Sequence, residues 1–375
     1  MNWARQRAEN ARLRAQLGRA VPPDAAGAED RAWAVVSQAA PMPAPVGRGR
    51  RRALVALAAG AVAATTLVLS GGGAATADWV AARFDASRPQ LAWKLPTPGR
   101  LLVRDHRELT VIREDGTRAH LATVAGAVWS PHGLFVATWQ GPLLSALEPD
   151  GDPRWRLVTP GTISSARWAP DGYRIAYIAG ANRLRVVAGD GTGDHALGAG
   201  PVRQVEPAWR PRVPRELAYV TLAGRLLIAN ADTSKTLFTS ARAPGARMLS
   251  FRADGERLVA ISARQTVTFD LHRPRVSVAR LPARRGVYLG GAYAPRGNRL
   301  ALLTYKAGRS TLSIDGRDVF TVRGLVRSPT WSPNGRYVAV SSATDVLIAD
   351  ARGPGLTTLP GGELYGWAAS VADHQ

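Results

Sequence analysis

The chain has 375 residues, of which 46% are apolar and 21% charged, and this balance is typical of a globular protein and excludes wholesale disorder. It contains no cysteine, so disulfide scaffolds, thiol catalysis and cysteine-ligated metals are excluded. The formal net charge is +21, but nearly all the basic residues are arginine and no basic stripe interleaves with aromatic residues. We therefore expect an arginine-coated, solvated surface and no nucleic-acid partner.

The N-terminal segment, residues 1–52, is polar and rich in arginine and alanine. Its pattern predicts two short helices, one that follows Asn2 and ends at Gly18, and one that carries Trp33. Such a segment has too little apolar surface for a core of its own. We expect it to lie in the cytoplasm.

An uncharged run, residues 53–77, follows a cluster of arginines that ends at Arg50, Arg51 and Arg52. The run is long enough for a helix that crosses the hydrocarbon, which needs about 20 residues. The arginines precede it, so the positive-inside rule predicts a cytoplasmic N-terminus and an extracytoplasmic remainder. Residues 78–96 read as a linker between this predicted anchor and the next domain.

Two other interpretations of this run stay open. Ala75-Thr76-Ala77 resembles a signal-peptidase site, so the segment could be a cleaved signal, although a region of 52 residues before it is long for one. The run could also be a buried helix of a soluble domain, which explains the arginine cluster less well.

Residues 97–370 contain short strand-like runs separated by turn residues, and a motif that recurs every 38 to 42 residues. Each of the six copies begins with an aromatic residue; proline follows in all but the fourth, where Ala253 stands instead, and a turn residue with glycine follows in all but the third. The residues concerned are Trp129, Pro131, Gly133, Trp168, Pro170, Asp171, Gly172, Trp209, Pro211, Phe251, Asp254, Gly255, Tyr293, Pro295, Gly297, Trp331, Pro333, Asn334 and Gly335. Proline ends one strand and the turn pair opens the next, so each copy begins one blade of four strands. We assign the motif residues a structural role.

This pattern resembles the TolB-like, WD-type propeller repeat, over about three quarters of the chain. The resemblance implies an all-β propeller that serves as a binding platform, an enzyme scaffold or a periplasmic partner. The overall arrangement is also similar to uncharacterised single-pass membrane proteins of GC-rich actinobacteria. The third copy departs from the motif, because Arg212, Val213 and Pro214 follow Pro211, and we expect an irregular, longer turn there.

The repeats predict seven four-stranded blades rather than six. Residues 99–123 supply three strands with no motif before them, and a spare strand surrounds Trp367 near the C-terminus. Pairing residues 363–369 beside residues 99–105 would close the ring and hide both open edges.

The chain shows no pattern of an active site. None of the six histidines has a partner at metal-ligand spacing, and Asp194-His195 is the one close pair. Asp150-Gly151-Asp152 and the pair Asp190 and Asp194 resemble calcium loops, but they lack the alternating ligands and the closing glutamate and are explained as turns. No nucleophile elbow, phosphate loop or dinucleotide fingerprint occurs, so we expect no cofactor and no metal.

We therefore predict a membrane-anchored, extracytoplasmic, non-enzymatic platform for a protein, a peptide or an anionic cell-wall polymer. One alternative is a transmembrane signalling protein whose Trp33 helix binds a cytoplasmic regulator. Another is a propeller enzyme of the lactonase or lyase type, which would require a ring of carboxylates or histidines at one channel mouth.

Charge separates the two faces that the blade pattern predicts. The turns after the first and third strands carry aspartates, whereas the other connections carry arginines. We expect the face that carries the arginine-bearing connections to attract anions. Its candidate ligand residues are Arg107, Arg183, Arg225, Arg264, Arg284, Arg285, Arg309 and Arg327.

Overall fold

The structure is a computed structural model that describes residues 90–91, 94–105, 108–240, 245–272, 275–282 and 285–370. The predicted cytoplasmic segment, the predicted membrane anchor and most of the predicted linker lie outside these residues, as do Arg107 and Arg284. No helix in the part of the chain that the structure describes is long and apolar enough to cross a membrane.

The described residues form 29 β-strands. The first eight are β1 (Gln90–Leu91), β2 (Arg100–Asp105), β3 (Glu108–Arg113), β4 (Arg118–Thr123), β5 (Gly126–Trp129), β6 (Val136–Gln140), β7 (Leu143–Leu147) and β8 (Pro153–Val158). The next eight are β9 (Ile163–Trp168), β10 (Arg174–Ala179), β11 (Arg183–Ala188), β12 (His195–Ala196), β13 (Ala208–Trp209), β14 (Glu216–Val220), β15 (Leu226–Asn230) and β16 (Thr236–Thr239). Four more are β17 (Met248–Phe251), β18 (Arg257–Ile261), β19 (Gln265–Asp270) and β20 (Arg275–Arg280). The last nine are β21 (Val287–Tyr293), β22 (Leu300–Lys306), β23 (Arg309–Ile314), β24 (Arg317–Arg323), β25 (Arg327–Trp331), β26 (Tyr337–Ser341), β27 (Asp345–Asp350), β28 (Leu356–Pro360) and β29 (Glu363–Ala368).

These strands build seven sheets, which are the blades of a propeller, and the four main strands of each blade run antiparallel to their neighbours. Blade 1 has the order β29-β2-β3-β4, and blades 2 to 6 each take four consecutive strands from β5 to β24. Blade 7 contains β25 to β28 and, on its outer edge, the short strand β1. The prediction of an all-β, seven-bladed propeller with four-stranded antiparallel blades is confirmed.

The ring closes through the two ends of the propeller, as predicted. The C-terminal strand β29 pairs antiparallel with β2, so that Trp367 lies opposite Leu101 and Leu364 lies opposite Val103. Trp367 is 8% exposed and packs with both of those strands in one hydrophobic cluster. The innermost strand of blade 1 therefore comes from the C-terminus and its other three strands from the start of the domain.

The motif turns have the geometry that their residues predict. In blade 3 the Asp171 carboxylate accepts a hydrogen bond from the backbone N–H of Tyr173 at 3.0 Å, and Gly172 takes a φ of 77°. Such a positive φ favours glycine because a Cβ is strained there. The third copy differs as expected: its turn is one residue longer, and Arg212 occupies the left-handed region with a φ of 64°.

Strand β1 was not foreseen, because it falls within the predicted linker. Gln90 and Leu91 pair in parallel with Thr357 and Thr358 of β28. The segment before the first blade thus adds a strand to the outer edge of blade 7. An unpaired strand edge exposes backbone hydrogen-bonding groups, and this segment satisfies some of them.

The alternating connections define two faces of the propeller. The signature face carries the turns that follow the motif aromatic residues and the turns between third and fourth strands. The reverse face carries the connections between blades and the turns between second and third strands. These reverse-face turns are residues 141–142, 180–182, 221–225, 262–264, 307–308 and 342–344.

Candidate functional site

The inner strands of all seven blades surround a central cavity of about 730 Å³. Trp129, Trp168 and Trp209 contribute to its wall from the signature-face ends of their strands. The wall also carries charged side chains, which sequence reasoning had not placed there. These are Arg167, Glu206, Arg247 and Glu363.

The two carboxylates of this wall are each held by an arginine. Glu206 accepts a hydrogen bond from the Arg167 guanidinium at 2.5 Å, and Glu363 accepts one from Arg104. The Arg104 guanidinium also lies 5.4 Å from the ring centre of Tyr365. Burial, and then the Glu363 charge, raise the pKa of the Tyr365 hydroxyl, so this tyrosine is a neutral hydrogen-bonding group.

The enzyme alternative required a ring of carboxylates or histidines at a channel mouth. Among the described residues that line the cavity, Glu206 and Glu363 are the carboxylates and no histidine is present. Each carboxylate is neutralised by its arginine partner, so neither stands as an unpaired acid or base. The wall offers hydrogen bonds and paired charges to a ligand.

The motif aromatic residues lie where the blades meet. Trp209 donates from its indole N–H to the backbone oxygen of Arg167 at 3.0 Å, and Trp331 donates to Ala292 at 2.8 Å. Each of these bonds runs to the inner strand of the preceding blade. The four motif tryptophans, Phe251 and the closing-strand Trp367 are 6–8% exposed, whereas Tyr293 is half-buried.

Six of the eight candidate ligand arginines fall in the described residues, and all six lie on the reverse face. Arg225, Arg264 and Arg327 are exposed, with Arg183, Arg285 and Arg309 partly so. Arg264 donates to the backbone oxygen of Gly286 at 3.1 Å. Arg285 is paired with the Asp318 carboxylate at 2.6 Å.

The cations of the reverse face form a sector rather than a ring. The reverse-face connections of blades 3 to 6 carry arginines. Their one carboxylate is Glu206, which lines the central cavity. The corresponding connections of blade 2 carry no charge, and those of blade 7 carry Asp345. Within the described residues, no carboxylate lies at ion-pair distance from Arg225, Arg264 or Arg327. We call the reverse-face connections of blades 3 to 6, together with Arg327, the basic sector.

The signature face has a different electrostatic pattern, because its arginines alternate with aspartates and many of them are paired. Arg174 of blade 3 forms a bidentate pair with Asp232 of blade 4, with distances of 2.5 and 2.8 Å. Arg252 pairs with Asp254 at 2.5 Å. These hydrogen bonds lower the pKa values of both aspartates, so their charges persist into moderately acid solution.

Asp194 and His195 point to different partners. Asp194 accepts hydrogen bonds from Arg185 and from the buried Tyr177 hydroxyl, each at 2.7 Å. Burial, and then Asp194, raise the pKa of the Tyr177 hydroxyl. The two ring nitrogens of His195 face backbone oxygens of Gly193 and Ala231 at 2.9 Å. This pair therefore joins strands and blades and does not form a joint site.

The aspartates that resemble calcium ligands serve their own turns. Asp150 accepts a hydrogen bond from the backbone N–H of Asp152, and Asp190 accepts two from Thr192. No cluster of three or more potential metal-ligating residues occurs among the described residues. The sequence contains no strong pattern that marks the charged residues of the central cavity. Arg167, for example, is distinguished only by its position before the motif residue Trp168.

The comparisons with known proteins bear on the fold. No protein-family profile matches the chain, and no curated protein matches its sequence. Among solved structures, the β-propeller domain of Myceliophteria thermophila Cps50 (Swd1) is similar with a TM-score of 0.54 and 16% identity, over 70% of this chain and 99% of that domain. Hydrazine synthase from Kuenenia stuttgartiensis is similar with a TM-score of 0.51 and 13% identity, over 62% of this chain and 78% of that one.

At these identities the likeness concerns the fold alone. The chain contains a seven-bladed β-propeller, and its fold is similar to that of the Cps50 (Swd1) β-propeller domain. Propellers commonly act as platforms that bind other proteins, and the same fold also hosts enzymes. Kinship with TolB-like proteins or with the actinobacterial membrane proteins remains a prediction from sequence.

Proposed function

We propose that this protein is a non-enzymatic binding platform, anchored in the cell membrane by residues 53–77, with its propeller outside the cytoplasm. Its basic sector binds an anionic partner. The favoured partner is an anionic polymer of the cell envelope, and the alternative is an acidic protein or peptide. The anchoring rests on the arginine cluster before an uncharged run of sufficient length.

The single observation that carries the binding proposal is the separation of charge between the faces. Arginines of the signature face stand among aspartates that cancel their field, whereas the basic sector holds exposed arginines on successive blades with few carboxylates near them. Fields of like charges on one surface add, so this sector attracts polyanions over a distance of about 10 Å at 0.1 M salt.

The position of the sector also favours a broad ligand over a small one. Arg183, Arg225, Arg264 and Arg327 come from four different blades. A polymer that lies across the reverse face can contact several of them at once, and a single small anion cannot. Binding through many weak contacts would be sensitive to salt, because exposed charges are screened.

Binding of the full chain in detergent to immobilised polyphosphate, with neutral dextran as reference, tests this function. The triple variant Arg225→Ser, Arg264→Ser and Arg327→Ser should bind polyphosphate about tenfold more weakly at low salt. The matched control replaces three exposed signature-face arginines, Arg296, Arg317 and Arg352, with serine. The control loses the same charge and should retain most of the binding. Equal losses of polyphosphate binding in the two variants would contradict the proposal. Equal retention of the wild-type protein on polyphosphate and on dextran would also contradict it.

A further inference from the structure

A second cavity lies on the signature face, between blades 2 and 3, with a volume of about 580 Å³. Three aromatic side chains line it, Phe135, Trp155 and Tyr173, together with Arg154 and Asp190. We call these five residues and the space between them the aromatic cleft. Its volume falls within the range of about 300–1,000 Å³ that is usual for small-molecule sites.

The aromatic rings of the cleft are held in place by contacts that cross from one blade to the next. Trp155, on the outer strand of blade 2, donates from its indole N–H to the backbone oxygen of Gly189 in blade 3 at 2.8 Å. A Cβ placed on Gly191 would lie 2.8 Å from the Trp155 ring, so this glycine lets the ring seat closely against the turn. The ring is therefore positioned before any ligand arrives.

Tyr173 contributes a free aromatic surface to the same cleft. It follows the motif residues Asp171 and Gly172 in the turn of blade 3, and it is 73% exposed. An exposed tyrosine beside a fixed tryptophan leaves two large ring surfaces available to a flat apolar partner.

The polar groups of the cleft are one cation and one anion. The Arg154 guanidinium lies 5.7 Å from the centre of the Phe135 ring and 3.2 Å from Glu148. The Asp190 carboxylate accepts hydrogen bonds from Thr192, which lower its pKa, so it is ionised near neutral pH. The cleft thus presents hydrogen-bond donors on Arg154 and acceptors on Asp190.

This combination selects among ligand classes. A polyanion would be repelled by the carboxylates of Asp190 and Glu148. A proline-rich peptide offers acceptors but few donors, and it would leave Asp190 without a partner. A sugar ring has an apolar face for stacking and hydroxyls that both donate and accept. It alone of these three classes satisfies the aromatic rings, the guanidinium and the carboxylate together.

We propose that the aromatic cleft is a binding site for neutral saccharides, separate from the basic sector. A sugar ring stacks on the surfaces of Tyr173 and Trp155. Its hydroxyls donate hydrogen bonds to Asp190 and accept them from Arg154. The proposal does not depend on the anionic ligand of the reverse face.

Saturation-transfer NMR on the full chain in detergent, with chitotriose, cellotriose, maltotriose and mannotriose as probes, tests this site. At least one probe should bind the wild-type protein, and Tyr173→Ser should weaken that binding about tenfold. Asp190→Asn keeps an oxygen for the Thr192 turn and removes the charge, and it should also weaken binding. The control Leu222→Ser replaces another exposed apolar residue, which is 55% exposed and lies on the reverse face, and it should leave binding unchanged.

Three results would overturn the proposal. One is that none of the four probes binds at millimolar concentration. Another is that Tyr173→Ser binds as the wild type does. The third is that a proline decamer, or polyphosphate, is the ligand that Tyr173→Ser loses. The Arg225, Arg264 and Arg327 triple variant should keep its saccharide binding, so failure of the reverse-face proposal is separable from failure of this one.

Discussion

Arg100 of blade 1 donates a hydrogen bond from its guanidinium to the backbone oxygen of Gly133 in blade 2, at a distance of 2.7 Å. The same guanidinium lies 5.0 Å from the ring centre of Trp129. Two other junctions repeat this contact with the motif glycine of the next blade, where Arg210 donates to Gly255 and Arg299 to Gly335. The motif turn thus provides a carbonyl acceptor that fixes neighbouring blades to each other.

Replacing Arg100 with methionine should lower the free energy of unfolding by about 1–3 kcal/mol, because the buried Gly133 oxygen loses its donor. Chemical denaturation followed by tryptophan fluorescence measures this loss. The control Arg113→Met changes an exposed arginine of the same blade and should cost less than about 0.5 kcal/mol. Equal costs for the two variants would show that the Gly133 contact contributes no stability.

Closure of the ring depends on Trp367 of the C-terminal strand. Trp367→Ala should lower the free energy of unfolding by about 3–5 kcal/mol, because it opens a cavity between β29 and its neighbours. Trp367→Phe keeps part of the volume and should cost clearly less. A cost for the alanine variant below about 1 kcal/mol would mean that the propeller is stable without this closure.

The pair of Arg174 and Asp232 makes stability depend on pH. Its hydrogen bond lowers the pKa of Asp232 in the folded chain, so the unfolded chain binds a proton there at higher pH. The stabilisation is therefore fully present above the unfolded pKa of about 4 and is lost as the pH falls through the folded value. Since Asp232 is partly exposed, we expect about 0.5–1 kcal/mol.

Urea unfolding at pH 7 and at pH 3 checks this dependence. Asp232→Asn should flatten the difference between the two pH values relative to the wild type. Arg174→Gln should have a similar effect, and the double variant should add little to either change. An Asp232→Asn variant with the pH dependence of the wild type would contradict the assignment.

The predicted topology is tested with reporter fusions. A reporter that works only outside the cytoplasm should be active when it is fused after residue 96. A reporter that works only in the cytoplasm should be active when it is fused before residue 48. Activity of the cytoplasmic reporter after residue 96 would reverse the predicted orientation. Replacing Arg50, Arg51 and Arg52 with serine should increase the fraction of chains that insert the other way.

The sequence predicted the blades because their signal is local. An aromatic residue, a proline and a turn glycine recur within five positions of each other, and the distance between copies equals one blade. The closing strand was predictable for a related reason, since Trp367 follows Trp331 at nearly the same spacing. Each of these features depends on residues that are close in sequence or related by the period.

Contacts between blades could not be read in the same way. Arg285 belongs to the predicted ligand face, but its partner Asp318 is 33 residues away and was not foreseen. The aromatic cleft depends on a contact between Trp155 and the turn of the next blade, and no local sequence pattern predicts this contact. Strand β1 was hidden because two residues are too few to show the alternation of a strand.

If the basic sector binds anions, an anion should protect the backbone amides of that sector from hydrogen exchange. Hydrogen exchange of the full chain with and without polyphosphate measures this, because it locates the protected amides. Polyphosphate should protect the reverse-face turns 180–182, 221–225 and 262–264, and raising the salt concentration should remove the protection. Protection confined to the signature-face turns, or none at low salt, would contradict the claim.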